Sequence, residues 1–232
     1  MMMGECNHLV IMAGGVGSRF WPMSTKEYPK QFIDVLGCGK TLIQLTLERF
    51  GDIFPKENVW VVSSEKYRKV VKEQLPDLDD DHILLEPCRR NTAPCIAYVS
   101  WKIKSRYPKA NLVITPSDHI VVDVTEFQRV IRLAMNYTKN TDAVVTLGMK
   151  PNRPETGYGY IEADFSMPSM SNKDIYRVDS FKEKPDIDTA KQYISKPNFY
   201  WNAGIFIWNV NTIVNSFRIY QPSMANIFEN LL

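Results

Sequence analysis

The sequence predicts an α/β protein with a mixed, mainly parallel sheet flanked by helices. Short apolar runs alternate with segments of helical period, the pattern of βαβ units whose strands are buried on both faces. The composition agrees: of 232 residues, 44% are hydrophobic and 23% charged, which excludes a disordered chain, a collagen and a coiled coil. With 28 basic and 26 acidic side chains the formal charge is only +2. That balance asks for no broad basic face, so neither nucleic acid nor an anionic membrane is expected as a partner, and any anion must be held locally.

The strands come first. His8 to Met12, Val59 to Ser63, Ile83 to Glu86, Leu112 to Thr115 and Ala143 to Leu147 are too short for helices and rich in Val, Ile and Leu. Between them, Tyr67, Val70, Val71, Gln74 and Leu75 recur at helical spacing, as do Phe127, Val130, Ile131, Ala134 and Met135. Thr41 stands where it would cap a helix over Leu42 to Phe50, and Asn91 or Thr92 where it would cap one over Ala93 to Tyr107. Beyond about residue 150 the pattern changes to β segments at Gly157 to Ile161, Tyr176 to Phe181 and Trp201 to Trp208, with helices expected over Asp188 to Ser195 and Ile213 to Tyr220. The reading is therefore a first part, 1–150, of βα type and a second, 151–232, with a partly antiparallel extension. No repeat or low-complexity linker separates them. The apolar ending at Leu231 and Leu232 suggests a fragment of a longer protein.

Cys6, Cys38, Cys88 and Cys95 form no CxxC pair, and His8, His82 and His119 do not fall at zinc-ligand spacing with them. Reduced thiols in a cytoplasmic protein are expected. No uninterrupted apolar run reaches the roughly 18 to 20 residues of a membrane span, and the Met-rich start lacks the regions of a signal peptide.

The segment after the first strand carries the chemistry. It reads Met12-Ala13-Gly14-Gly15-Val16-Gly17-Ser18-Arg19-Phe20-Trp21-Pro22, followed by Tyr28-Pro29-Lys30-Gln31-Phe32. Gly14, Gly15 and Gly17 free the backbone to turn several N–H groups toward one anion with no Cβ in the way. Arg19 adds a fork suited to phosphate oxygens and Lys30 a compact second charge. An ordinary tight turn with a solvated arginine is the competing interpretation of the glycines. Two other phosphate loops fail: GxGxxG counted from Gly15 needs glycine where Phe20 stands, and a Walker A loop ending in Gly39-Lys40-Thr41 needs glycine where Asp34 stands. Gly37-Cys38-Gly39 then reads as a turn before the Thr41 helix.

The run from Ala13 to Phe32 resembles the signature of the sugar-nucleotide pyrophosphorylases, in the form carried by bacterial mannose 1-phosphate guanylyltransferases, the GDP-mannose pyrophosphorylases. The likeness continues in order through Glu86-Pro87-Cys88-Arg89-Arg90-Asn91-Thr92-Ala93-Pro94, Pro116-Ser117-Asp118-His119, Glu155-Thr156-Gly157-Tyr158-Gly159-Tyr160-Ile161, Phe181-Lys182-Glu183-Lys184-Pro185 and Trp201-Asn202-Ala203-Gly204-Ile205-Phe206. It implies a Rossmann-like nucleotide-diphospho-sugar transferase fold. The implied reaction is attack by mannose 1-phosphate on the α-phosphorus of GTP, with Mg2+, giving GDP-mannose and pyrophosphate.

The resemblance implies nucleotide contacts from Ala13, Gly14, Gly15, Gly17 and Ser18, with Arg19, Lys30 and Asp118 as the catalytic set and Asp118 as a Mg2+ ligand. Asp118 follows a strand, at the carboxyl end where open α/β sheets bind ligands, although an aspartate there is commonly a turn former. A site choosing guanine needs an acceptor for its N1–H and N2–H2 donors, a role for Glu86, with the Asn91, Thr92 and Ala93 turn completing the base loop. Glu86-Pro87 as a strand end and Asn91-Thr92 as a helix cap are compatible with both roles. Gly157, Tyr158, Gly159, Glu183, Lys184 and Asn202 are implied at the mannose 1-phosphate site. The aromatics Tyr158, Tyr160, Phe181, Trp201 and Trp208 are expected in the core or on strand faces, Cys88 and Cys95 as inert packing, and His119 as a loop-fixing side chain, since no proton need move in the reaction.

In the family a second aspartate on a later strand completes the Mg2+ site, and no such motif follows here. An incomplete chain would keep its binding surfaces with weaker metal affinity and turnover, and an uncovered sheet edge would favour a homo-oligomer. The alternatives are a pyrophosphorylase for another nucleotide and hexose phosphate, or a binding module without catalysis. The presence of Arg19, Lys30 and Asp118 together argues against the module.

Overall fold

A computed structural model describes residues 7–15, 20–86, 91–169 and 172–231. The chain divides into two compact units, 1–145 with 206–232, and 146–205.

The first unit is built on strands β1 (Asn7–Met12), β2 (Val59–Ser64), β3 (Ile83–Glu86) and β4 (Asn111–Pro116), which run parallel in the order β3-β2-β1-β4. The last residues of β8 (Phe199–Asn209) add an antiparallel neighbour, Ile114 pairing with Phe206 and Asn111 with Asn209. Helices α1 (Leu42–Glu48), α2 (Arg68–Gln74), α3 (Thr92–Arg106) and α4 (Val124–Lys139) lie between the strands in sequence, and α6 (Val210–Tyr220) and α7 (Pro222–Leu231) follow β8. α5 belongs to the second unit.

Both faces of this sheet are covered, because successive strand residues point to opposite sides and the central residues of β1, β2 and β4 are buried throughout. On one face Val10, Trp60, Val62, Leu84, Leu112 and Ile114 pack with Cys95, Val99 and Ile103 of α3. A second layer joins α3 to α6 and α7 through Ala97, Trp101, Val214, Phe217 and Ala225. On the other face α4 is pinned to β4: Asn111 Nδ2 donates to Met135 O (3.1 Å) and Thr138 Oγ1 donates to Asn111 Oδ1 (3.0 Å).

The second unit pairs β6 (Tyr160–Ser169) with β7 (Asn172–Lys182) as an antiparallel ribbon, and β6 also pairs with the start of β8 through Tyr160 and Trp201. Strand β5 (Val145–Met149) pairs with β8. Helix α5 (Ile187–Ile194) closes a small core in which Ala190 meets Tyr160 and Phe199, with the Tyr193 ring stacked on Phe199 at 4.4 Å.

The expected strands and helices are present, with shifted ends. Asn91 holds the cap position of α3 with φ of 67°, but its side chain makes no capping bond. Asp186 caps α5 by accepting from Thr189 N (2.8 Å), so the helix begins at Ile187. Asn209 starts α6 at Val210, three residues before the apolar period suggests. Helix α7 is an addition to the sequence reading; its short apolar stripe has no capping signal. Gly157 and Gly159 lie in the turn before β6, not in the strand. The turn at 37–39 is present, with Asp34 accepting from Cys38 N (3.1 Å) and Gly39 N (2.7 Å). Among the described residues no helix is long and apolar enough to cross a membrane.

Candidate active site

Parallel pairing brings the carboxyl ends of β1 to β4 to one edge of the first unit: Met12 lies beside Val62 and Pro116, and Ser64 beside Glu86. The chain passes from β1 outward to β2 and β3 and then crosses back to β4 on the other side of β1, so the strand order reverses between β1 and β4. Crevices at such switch points bind ligands in open α/β sheets. The segment 13–15 leaves β1 at this point, and Ser117 and Asp118 leave β4 beside it.

Buried side chains fix this edge. Ala13 N donates to Val62 O (2.7 Å). Ala13 O accepts from Ser63 Oγ (2.9 Å) and from Gln31 Nε2 (3.0 Å), which also donates to Gly15 O (2.9 Å). Ser117 Oγ donates to Met12 O (2.9 Å). Gln31 itself sits on a 3-10 turn over Lys30–Phe32, so the same turn that ties down the loop presents Lys30. The Lys30 ammonium meets Asp118 Oδ2 at 2.5 Å, each side chain about a quarter exposed, and lies 5.5 Å from the centre of the Phe20 ring. The His119 ring is a distant neighbour, Nε2 standing 3.8 Å from Asp118 Oδ1. Burial lowers the His119 pKa, with Arg49 and Lys30 adding to that effect against Asp118, so the ring is neutral near pH 7.

Glu86 ends β3 close to the loop: a Cβ built on Gly14 would lie 3.6 Å from Glu86 Oε2. Thr92 and Ala93 open α3. Cys95, one turn on, is buried and its thiol is pushed up to about 12 by burial, with Glu86 adding; it is no nucleophile at neutral pH. The expected phosphate ligands Gly17, Ser18 and Arg19, and Cys88 of the base loop, lie outside the described residues.

In the second unit Asn202 is the best-anchored of the expected residues. Its N–H donates to Gly159 O (2.8 Å), and its Oδ1 accepts from Thr146 Oγ1 (3.1 Å) and Gly204 N (3.0 Å). A Cβ at Gly159 would stand 2.9 Å from Phe181 Cζ, so the exposed Phe181 ring would have to shift to admit one. Gly157 N donates to Glu155 Oε1 (3.0 Å). Glu183 and Lys184 are exposed and face each other at 3.3 Å. The aromatics divide: Tyr160 and Trp208 are buried as expected of core residues, whereas Tyr158 and Phe181 are exposed, and Tyr158 sets its edge against Trp201 at 5.4 Å.

With this geometry in hand, comparison with known proteins is informative. A family model described as nucleotidyl transferase matches residues 8–232. The chain belongs to that family. This nucleotidyl transferase chain is 38% identical over 229 residues to mannose-1-phosphate guanylyltransferase 2 of Escherichia coli O157:H7, covering 96% of this chain and 47% of that protein. It is 36% identical over 225 residues to the alginate biosynthesis protein AlgA of Pseudomonas aeruginosa, covering 96% and 45%. It thus spans about half the length of the curated relatives it matches. Among solved structures, a Thermus thermophilus protein titled mannose-1-phosphate geranyltransferase superposes with a TM-score of 0.86 at 32% identity, over 97% of this chain and 64% of that one. The mixed, mainly parallel sheet flanked by helices is the nucleotidyl transferase fold that the sequence predicts.

Four supporting residues of this nucleotidyl transferase went unread in the sequence. Ser63 near the end of β2, Ser117 just after β4 and Gln31 on its 3-10 turn are polar residues whose partners are backbone carbonyls that no spacing reveals. Thr146 supports Asn202 across 56 positions of sequence.

Proposed function

We propose that this chain is the nucleotidyl-transfer domain of an enzyme that makes GDP-mannose and pyrophosphate from GTP and mannose 1-phosphate by in-line attack. The observation that carries the reading is the meeting of Lys30 and Asp118 beside the 13–15 loop at the β1/β4 switch point. The relatives' names supply the substrates. On this reading 1–150 binds nucleotide, through Ala13, Gly14, Gly15, Gly17, Ser18, Glu86, Asn91, Thr92 and Ala93. The part 151–232 binds the sugar phosphate, through Gly157, Tyr158, Gly159, Glu183, Lys184 and Asn202.

The nucleophile is a phosphate, already anionic near neutral pH, so no general base is required and the neutral His119 takes no proton. The obstacle is to bring two polyanions together in line. Lys30 leaves the Asp118 carboxylate for phosphate oxygens when GTP enters, and Arg19 adds a second cation. Asp118, so released, would hold Mg2+. The partly exposed Asp118 carboxylate is a hard oxygen donor of the kind such an ion takes, since Mg2+ commonly uses one or two carboxylates and draws its other ligands from phosphates and water. When bound, it would neutralise charge on the phosphate oxygens. Glu86 accepts from the guanine edge, which adenine does not offer. The free thiols at Cys38 and Cys95 suit a reducing, cytoplasmic setting.

The test is pyrophosphate release from GTP with mannose 1-phosphate and Mg2+, set against ATP, UTP and glucose 1-phosphate. Preferred release with GTP and mannose 1-phosphate is expected. Release with another pair assigns a different pyrophosphorylase specificity, and GTP binding without release from any pair leaves a binding module or a chain lacking its second metal ligand, which the same assay on a longer chain separates.

A further inference from the structure

Arg49 follows α1 and is 4% exposed, yet the reaction outlined above gives it no part. Its guanidinium reaches the end of β4. Nη2 donates to Thr115 Oγ1 (2.7 Å) and Pro116 O (3.3 Å), and Nη1 donates to His119 O (3.0 Å). The fork therefore grips the chain on both sides of Asp118. The arginine is itself held: its guanidinium lies 5.6 Å from the Phe50 ring centre and 5.3 Å from that of Phe127, and Gln128 Nε2 donates to Arg49 O (3.0 Å).

Packing alone does not explain this side chain. All three acceptors are neutral, and Nε has no hydrogen-bond partner. Burial drags the guanidinium down to about 10, opposed by Asp118, so it remains a buried cation at neutral pH. A well-packed apolar residue of similar volume is commonly as stabilising as such a charge or more so. What an apolar residue lacks is a rigid three-donor fork that fixes two carbonyls and a hydroxyl at once.

We propose that Arg49 is a positioning residue, whose grip on residues 115, 116 and 119 fixes the backbone that aims the Asp118 carboxylate. This rests on reading Asp118 as the ligand of the divalent ion. Groups that orient metal ligands typically alter ion affinity when removed, whereas a purely structural arginine would alter stability alone.

The test is Mn2+ binding to the GTP-loaded chain, followed by electron paramagnetic resonance alongside thermal unfolding. Arg49→Met keeps the apolar stem against Phe50 and Phe127 and removes the fork, and it should weaken Mn2+ binding about tenfold or more. Arg49→Lys, which restores one charged donor group, should recover part of that loss. Thr115→Val, nearly isosteric, should weaken binding about threefold, and adding it to Arg49→Met should have no further effect, since both remove the same contact. Should Arg49→Met fail to fold, Thr115→Val decides alone. Mn2+ affinity equal to wild type in the folded variants, with only the melting temperature lowered, overturns the proposal and leaves the Asp118 site standing. A wild-type chain that takes up GTP but no Mn2+ overturns the Asp118 reading and this inference with it.

Discussion

In the first unit the phosphate loop and the Asp118 segment rest on buried supports, the 13–15 loop tied to Gln31 and Ser63 and the Asp118 segment to Arg49 and Ser117, although the base-loop candidates Asn91, Thr92 and Ala93 are exposed. In the second unit Glu183 and Lys184 are 67% and 57% exposed and make their ion pair with each other, and only Asn202 is anchored on several sides. The contrast follows the chemistry each would perform. Displacement at phosphorus requires reacting groups held to fractions of an ångström, and rigid strand ends with locked neighbours supply that. On the proposed reading, hexose hydroxyls would be met by exposed side chains, whose single hydrogen bonds each add modestly.

If the contrast is right, substitutions in the first unit should cost far more than those in the second. The largest effect is expected for Asp118→Asn, which keeps shape and removes charge. Pyrophosphate release should fall by about 10³-fold or more with thermal unfolding unchanged, and near-normal release would end the metal assignment.

Next comes acid. His8 is fully buried in the first unit, its Nδ1 accepting from Trp60 Nε1 (3.2 Å), with the Tyr107 ring at 4.5 Å. Burial, and then the charge of His82, lower its pKa from 6.5 to about 4. The unfolded chain therefore binds the proton more readily between those values, and stability should fall as pH drops from about 6.5, levelling off below about 4. The loss is roughly 3 kcal/mol at about 1.4 kcal/mol per pH unit. Burial also lowers His82, which acts in the same sense. Denaturant unfolding of wild type and His8→Gln between pH 7 and pH 4 checks this; equal slopes in the two proteins would refute it.

A smaller effect is expected at Gln31→Ala, which deletes both bonds to the loop. Net hydrogen bonds are worth about 1 kcal/mol each, so GTP affinity by calorimetry should weaken by up to about thirtyfold with little change for mannose 1-phosphate. The smallest belongs to Glu183→Gln: a solvated carboxylate contributes about 1 kcal/mol or less, so KM for mannose 1-phosphate should rise only a few-fold while GTP affinity stays constant. A loss at Glu183 larger than that at Gln31 would reverse the comparison.

The sequence disclosed most of the fold because parallel strands buried on two faces write themselves as continuous apolar runs, as in Val59 to Ser63. Residues 206–232 joining the first unit was not legible, since nothing local in Trp201 to Trp208 says that the strand's last residues pair with β4. Helix α7 escaped because its burial depends on Trp101 of α3, distant in sequence. The site divides the same way. The glycines and Lys30 stand out by residue type and spacing and Asp118 through the family resemblance, whereas Gln31, Ser63, Thr146 and Arg49 act on groups up to 70 positions away, a relation no local pattern encodes.

The most direct trial of the central claim is a crystal structure of the chain with GTP and Mg2+. The triphosphate should lie against Ala13, Gly14 and Gly15, with the Lys30 ammonium on its oxygens and Asp118 released from that lysine. A nucleotide bound elsewhere, with the Lys30 to Asp118 pair intact, would contradict the account.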